Sequence, residues 1–311
     1  MDRGTDLVAA QADRFAAIDP LLPVVTEPPE GQTLVATLPD GSRVTGVLRV
    51  SFTDPGSLEA LWSALEVWEL TPILGANGTV AMDAVLRAFR ARLDRESPGE
   101  DSSCVVPWPS RDAEGTRALL DHGLAPLTAL GVRTETGAQP APGNPEVTVR
   151  AARPADVEAI LWLERAEIEY SANVGGLRPR PDQGTCDQRR AALRRRLADD
   201  APIWLADLGG RPVGVVDSGL HDATADHWLG TVLPAGRWGY VHSVAVQPDV
   251  RGHGVGRALL NATHAEFSRA GVRGTYLYYN PPNPLASVFW HRQGYRPLWT
   301  VWEVRPATLL R

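Results

Sequence analysis

The stretch VAVQPDVRGHGVGRALL, residues 244–260, limits what this chain can fold into more than any other. An apolar run ends near Val246, and Pro248, which has no N–H to give a strand ladder, breaks it. From Gly254 to Ala270, Val255, Ala258, Leu259 and Ala262 fall on one helical face, and Gly271 closes the run. Three glycines therefore stand where a strand turns into a helix. The first N–H groups of a helix have no internal partner, and glycine bares them without a Cβ in the way. Such a seat favours an anion, above all a pyrophosphate, with Arg251 and Arg257 adding charge at its edges. The alternative is a turn that only tightens strand-to-helix packing. A dinucleotide fingerprint is excluded, because Arg257 occupies its third glycine position.

All 31 basic residues are arginine; lysine is absent. Walker-type phosphate loops, Schiff-base chemistry and pyridoxal phosphate attachment all need a lysine, so those classes fall away. A formal charge of −6 argues against nucleic acid or an anionic membrane as partner. The two cysteines, Cys104 and Cys186, form no CxxC pair, and no metal site is expected. No apolar run reaches membrane-spanning length, and the first residues lack a signal-peptide pattern, so a cytoplasmic location is expected.

At 311 residues the chain has room for two domains. The segment 134–146, TETGAQPAPGNPE, reads as a linker between residues 1–133 and 147–311. A faint repeat links the halves: CVVPWPSRDAEGTRALLDHGLAPL aligns without gaps with TYLYYNPPNPLASVFWHRQGYRPL, setting Asp112 against Asn283 and Gly123 against Gly294. Periodicity in the second half predicts the order β-α-α-β-β-β-α-β-α-β.

Arg251-Gly252-His253-Gly254-Val255-Gly256, with Val246, Gln247 and Pro248 before it, resembles the R/Q-x-x-G-x-G/A signature of the GNAT superfamily of acetyl-CoA-dependent N-acetyltransferases. Asn283, Ala286, Phe289 and Gly294-Tyr295 fit that family's later N-x-x-A-x-x-[LF]-Y-x-x-x-G-[FY] segment. The resemblance covers about residues 147–305. It implies an α/β (α+β) fold with a mixed, largely antiparallel sheet flanked by helices. Residues 1–133 look like a degenerate tandem copy, lacking the arginine and close glycines of the loop. That half is expected not to bind acetyl-CoA and either to cover the cleft or to stabilise the chain.

By the same resemblance, acetyl-CoA is the cosubstrate and the amides from Arg251 to Arg257 hold its pyrophosphate. Val244, Ala245 and Val246 bond the pantetheine arm, Asn283 touches it, and Ser287 and Trp290 lie beside the coenzyme. Transfer needs a neutral amine, a polarised carbonyl and a proton for the departing thiolate. Along GYVHSVAV, alternation sets Tyr240 and His242 on one face. Tyr240 stands about where the family often has a glutamate, and His242 is the candidate base or water-wire member. Trp290 replaces the family's usual acid, a tyrosine, so Tyr278 is the substitute acid and Tyr276 a weaker one. Trp290 would then pack against the coenzyme.

Glu164, Glu167 and Glu169 could attract an amine, or form a solvated helix face, as could Arg189, Arg190 and Arg194 to Arg196. The long connection 221–238 reads as a lid or an interface. The expected activity is acetyl transfer to a primary amine, most simply of a small molecule, by a monomer or homodimer. The alternatives are a peptide or protein acceptor, or a noncatalytic acyl-CoA sensor, which the tryptophan at 290 keeps open.

Overall fold

The computed structural model describes residues 3–134, 144–175 and 184–311, so most of the expected linker lies outside the described residues. The first half runs α1 (Arg3–Ile18), β1 (Gln32–Thr37), β2 (Arg43–Phe52), β3 (Glu66–Ile73), α2 (Thr79–Glu96), β4 (Ser102–Pro109), α3 (Ala113–Asp121) and β5 (Ala125–Arg133). The second runs β6 (Val147–Ala151), α4 (Val157–Asn173), α5 (Thr185–Ala198), β7 (Ile203–Leu208), β8 (Arg211–Ala223) and β9 (Gly236–Val246). It ends with α6 (Val255–Arg269), β10 (Gly274–Tyr279), α7 (Pro284–Arg292) and β11 (Arg296–Val304). The second half thus has the element order that its periodicity predicts.

All eleven strands join one sheet, in the order β1-β2-β3-β4-β11-β5-β10-β9-β8-β7-β6. Only β3 with β4 and β9 with β10 pair in parallel among the described residues. The sheet is therefore mixed and largely antiparallel, with helices on both faces.

The last strand of each half is exchanged. β11 lies between β4 and β5, and β5 lies between β11 and β10, each antiparallel to both neighbours. Backbone donors and acceptors along these strands are satisfied by the other half, which leaves no open edge in the middle of the sheet. One apolar cluster accordingly spans the halves, joining Phe89, Trp108 and Leu130 to Leu229, Leu233, Trp238 and Tyr276. The connection 221–238 is thus an interface: its Leu229 and Leu233 are buried in that shared core.

Local chemistry explains the helix starts. Asp112 accepts from Gly115 N at the head of α3, and Asn283 accepts from Leu285 N and Ala286 N at the head of α7. Helix α6 packs on one face of the sheet through Leu259, Leu260 and Phe267. Helices α4 and α5 cover the other through Ile160, Leu163, Leu193 and Leu197.

Two irregularities in β9 create the site. Parallel pairing with β10 runs only from Trp238↔Gly274 to Val241↔Leu277. Beyond it, β9 follows β8 to Val246↔Gly214 while β10 follows β5 to Tyr279↔Ala129, so the strands part. Opposite Asp217 and Ser218 the register jumps from Ser243 to Val241, making His242 the extra residue of a bulge. The bulge reverses the alternation: Val241 packs on the α6 side, but so do Val244 and Val246, while Ala245 packs on the α4–α5 side.

Candidate active site

A cleft of about 1410 Å³ opens where β9 and β10 part. Tyr240, His242 and Val244 form part of its floor, Tyr278 and Asn283 one wall, and α4 the other. Leu58, Leu61 and Trp62 of the first half reach over to line the side next to α5. Past the end of the β10 pairing, the edge of Val244, Ala245 and Val246 that faces away from β8 has no strand beside it among the described residues.

The glycine loop closes one end. Gly252 and Gly254 have φ of +84° and +83°, a region that costs a residue with a side chain about 1–2 kcal/mol. Among the described residues, nothing lies within 4 Å of where a Cβ would stand on Gly252. Gly254 is the N-cap of α6, so bare amides do meet the helix's free N–H groups there. Gly256 serves packing instead: a Cβ would stand 3.1 Å from the Phe289 ring. Val255 is buried beneath the loop. Arg251 lines the cleft, donates from Nε to the Val246 carbonyl at 3.2 Å, and sits 5.3 Å from the centre of the Tyr170 ring. His253 is at the exposed tip, its carbonyl accepting from Asn144 Nδ2 at 3.1 Å, and Arg257 is exposed. These residues fit a pyrophosphate: open backbone meets a helix N-terminus there, and Arg251 and Arg257 line the same cleft.

Other expected coenzyme contacts have structural duties. The Asn283 side-chain oxygen caps α7, and Ser287 Oγ donates to the Pro281 carbonyl at 2.9 Å. Trp290 is 7% exposed and meets Tyr295 and Phe289 edge to face, with ring centres 5.4 and 4.9 Å apart. It is a core residue that reaches the cleft wall.

The three expected catalytic side chains come together. The ring centres of Tyr240 and His242 are 4.1 Å apart, and Tyr278 meets Tyr240 edge to face at 6.4 Å. Burial pushes the His242 imidazole down to about 4, against a smaller opposing pull from Asp217. At neutral pH the ring is uncharged and keeps a lone pair. Burial pushes the Tyr240 phenol up to about 12 and Tyr278 well above its ordinary value, so both hold their protons.

Glu164 is neither solvated nor free to meet an amine. It accepts from Arg189 Nε at 2.9 Å, and Arg189 Nη2 also donates to Asp217 at 2.9 Å. Arg196 donates to the other oxygen of Asp217 at 2.6 Å and to the Ser218 carbonyl at 2.7 Å. Glu167 lines the cleft and accepts from Ser171 Oγ at 2.6 Å; burial raises its carboxyl. Glu169 pairs with Arg165 at exposed positions, and half-buried Arg190 pairs with exposed Glu158. Asp217 escaped sequence reasoning, although an aspartate inside the apolar run VGVVDSGL is a signal of a buried, paired carboxylate. The pairing of His221 Nδ1 with Tyr276 Oη, 2.6 Å apart, also had no local signal. Among the described residues no three His, Cys, Asp or Glu side chains cluster as metal ligands do.

In the first half, β3 and β4 likewise pair in parallel from Glu66↔Ser102 to Glu69↔Val105. The head of α2 is occupied: Glu114 Oε2 lies 1.7 Å from where a Cβ on Gly78 would stand. Asp40 and Glu114 line the small hollow there. Carboxylates at that place repel a phosphate rather than seat one.

Residues 199–297 match the acetyltransferase (GNAT) domain family, so the carboxyl-terminal half of the chain contains a GNAT domain. A GCN5-related N-acetyltransferase from Sphaerobacter thermophilus shares the fold, with a TM-score of 0.54 at 18% identity over 89% of this chain and 82% of that one. Among curated relatives, the chain is similar to mycothiol acetyltransferases. That of Streptomyces bingchenggensis is 32% identical over 50% of this chain and 45% of the relative. That of Geodermatophilus obscurus is 28% identical over 86% of this chain and 80% of the relative. The matched stretch spans about half the length of the relatives from Streptomyces bingchenggensis and Tsukamurella paurometabola. No helix among the described residues is long and apolar enough to cross a membrane.

Proposed function

We propose that this chain transfers an acetyl group from acetyl-CoA to a primary amine of a small molecule, by direct attack. The observation that carries the reading is the parting of β9 and β10 in front of an open glycine loop. It creates a slot with main-chain donors along one edge and an anion seat at its end. Acetyl-CoA supplies the activated acyl group. The amides from Arg251 to Arg257 hold its diphosphate, and the edge of Val244, Ala245 and Val246 orients the pantetheine arm. Asn283, Ser287 and Trp290 shape the wall beside that arm. Neutral His242 takes the amine's proton, and Tyr278, which keeps its own proton, supplies one to the leaving thiolate. Tyr240 fixes the imidazole between them.

A small acceptor is favoured over a peptide because Leu58, Leu61 and Trp62 narrow the side of the cleft away from the glycine loop. We assign coenzyme binding and chemistry to residues 147–311 and the closing of the acceptor pocket to residues 1–133. The names of the curated relatives support trying mycothiol chemistry first among acceptors. The test is thiol release from acetyl-CoA across a panel of amines that includes the unacetylated precursor of mycothiol, aminoglycosides, amino acids and peptides. Turnover with a small amine is expected. Coenzyme binding without turnover on any amine would favour an acyl-CoA sensor.

A further inference from the structure

The first half repeats the parting of strands that makes the cleft in the second. Beyond Glu69↔Val105, β3 follows β2 to Ile73 while β4 follows β11 to Pro109, so one edge of β3 has no strand beside it among the described residues. Pro72 lies opposite Gly46 of β2 as Val246 lies opposite Gly214 of β8. A Cβ on Gly46 would stand 3.0 Å from Val85 of α2, and one on Gly214 2.8 Å from Val255 of α6, so each glycine faces the helix that follows the parted strand. The Pro72 carbonyl is therefore the counterpart of the Val246 carbonyl. Peptide groups on such an edge need partners, and α1 provides them. Gln11 Nε2 donates to the Pro72 carbonyl at 2.9 Å, and the Leu74 N–H donates to Gln11 Oε1 at 2.7 Å. A primary amide carries both the donor and the acceptor of a peptide group, so this is the two-point bond by which an extended amide chain joins a strand edge. Helix α1 also reaches the other lip of the parting. Phe15 meets Trp108 of β4 edge to face at 5.3 Å, and Arg14 donates to Asp112, the cap of α3, at 2.6 Å. Leu7 packs on the turn after β3, where a Cβ on Gly75 would stand 2.9 Å from it.

We propose that the first half keeps a slot for a pantetheine-like amide chain and that α1 is its built-in occupant, with Gln11 in place of a pantetheine amide. The inference rests on the reading that Val244, Ala245 and Val246 hold the coenzyme's arm. The correspondence extends to Asp112, which aligns with Asn283 on the cleft wall. The class of ligand follows from the two ends of the slot. Its edge offers a carbonyl and an N–H to an amide, whereas the head of α2 carries Asp40 and Glu114 where the second half has its glycine loop. Such a slot suits an uncharged amide chain and not a diphosphate. The occupant is firmly held: Phe15 is buried, and Asp19, just past α1 and 1% exposed, accepts from both terminal nitrogens of Arg296 on β11. The chain thus offers coenzyme A one site and holds a second, filled slot.

The test follows backbone amides of the full chain by hydrogen exchange in NMR. In the parent, calorimetry should count a single coenzyme A per chain, and the coenzyme should slow exchange at Val244 and Val246 while leaving Leu74, already protected, unchanged. In Leu7→Ala/Gln11→Ala, which trims two half-buried side chains of α1, Leu74 should exchange about tenfold faster. With the second half saturated by coenzyme A, free pantetheine should restore the protection of Leu74 in this variant and change nothing in the parent. Retained binding of one coenzyme A shows that the variant is folded; Gln11→Ala alone serves the same comparison should the double variant not fold. A folded variant whose Leu74 ignores pantetheine, or a parent that binds two coenzymes, overturns the second slot alone. A parent that binds no coenzyme A overturns the coenzyme reading itself.

Discussion

Arg189 of α5 donates to Asp217 of β8 at 2.9 Å, tying the helix that borders the cleft to its floor around a carboxylate that is 1% exposed. Arg196 holds the other oxygen of Asp217. Removing one partner of a buried pair costs about 3–5 kcal/mol, because the remaining charge stays behind. Both guanidinium groups keep some access to water, so Asp217→Ala should lose about 3 kcal/mol, measured by urea denaturation. A loss below about 1 kcal/mol would show that water already screens the pair.

The glycine loop should be sensitive to a single methyl. Gly252→Ala and Gly254→Ala each force a side chain into the left-handed region, at a cost of about 1–2 kcal/mol, and place carbon over the anion seat. Calorimetric titration with coenzyme A should show about tenfold weaker binding. Unchanged affinity in both variants would move the pyrophosphate elsewhere.

Trp62 belongs to the first half yet lines the cleft of the second, where its ring is about half exposed. Trp62→Ala should raise the KM for the acceptor several-fold and leave coenzyme affinity unchanged. The reverse pattern would show that the first half serves the coenzyme and not the acceptor.

Buried neutral histidines set the response to acid. Burial, aided by Arg133, pushes His264 down to about 3; the ring also bonds the fully buried Tyr295 hydroxyl at 3.0 Å. Since the native ring resists protonation and the unfolded one does not, the unfolded chain binds more protons below the ordinary histidine value. Stability is therefore fully present above about pH 6.5 and falls as pH drops toward the folded value. At pH 5 His264 alone should cost about 2 kcal/mol relative to pH 7. In His264→Phe the difference in stability between the two pH values should shrink by that amount, whatever the variant's absolute stability.

The same logic shapes the rate profile. With His242 near 4, set by burial with Asp217, Arg189, Arg196 and His221 around it, protonation of this ring should leave kcat flat from about pH 6 to 8. Loss of rate from this group should begin only near pH 5. A fall centred between pH 6 and 7 in the parent, absent in His242→Gln, would place the folded value higher than burial sets it.

Local chemistry wrote much of this protein into its sequence. The order of elements from β6 to β11 and the glycine turn into α6 could both be read from nearby residues, because a helix start or a strand end is decided by dihedral preferences and by N–H groups a few positions away. The adjacency of Tyr240 and His242 was legible for the same reason, since alternation is local, although the bulge that returns Val244 and Val246 to the α6 face was not. Tertiary structure alone decided that β5 and β11 change places, that Leu58, Leu61 and Trp62 border the cleft, and that Asp217 is buried between two arginines. A strand's own residues specify which face is apolar but not which edge will satisfy its peptide groups, and a charge is tolerated in a core only when distant parts of the chain bring its partner to it.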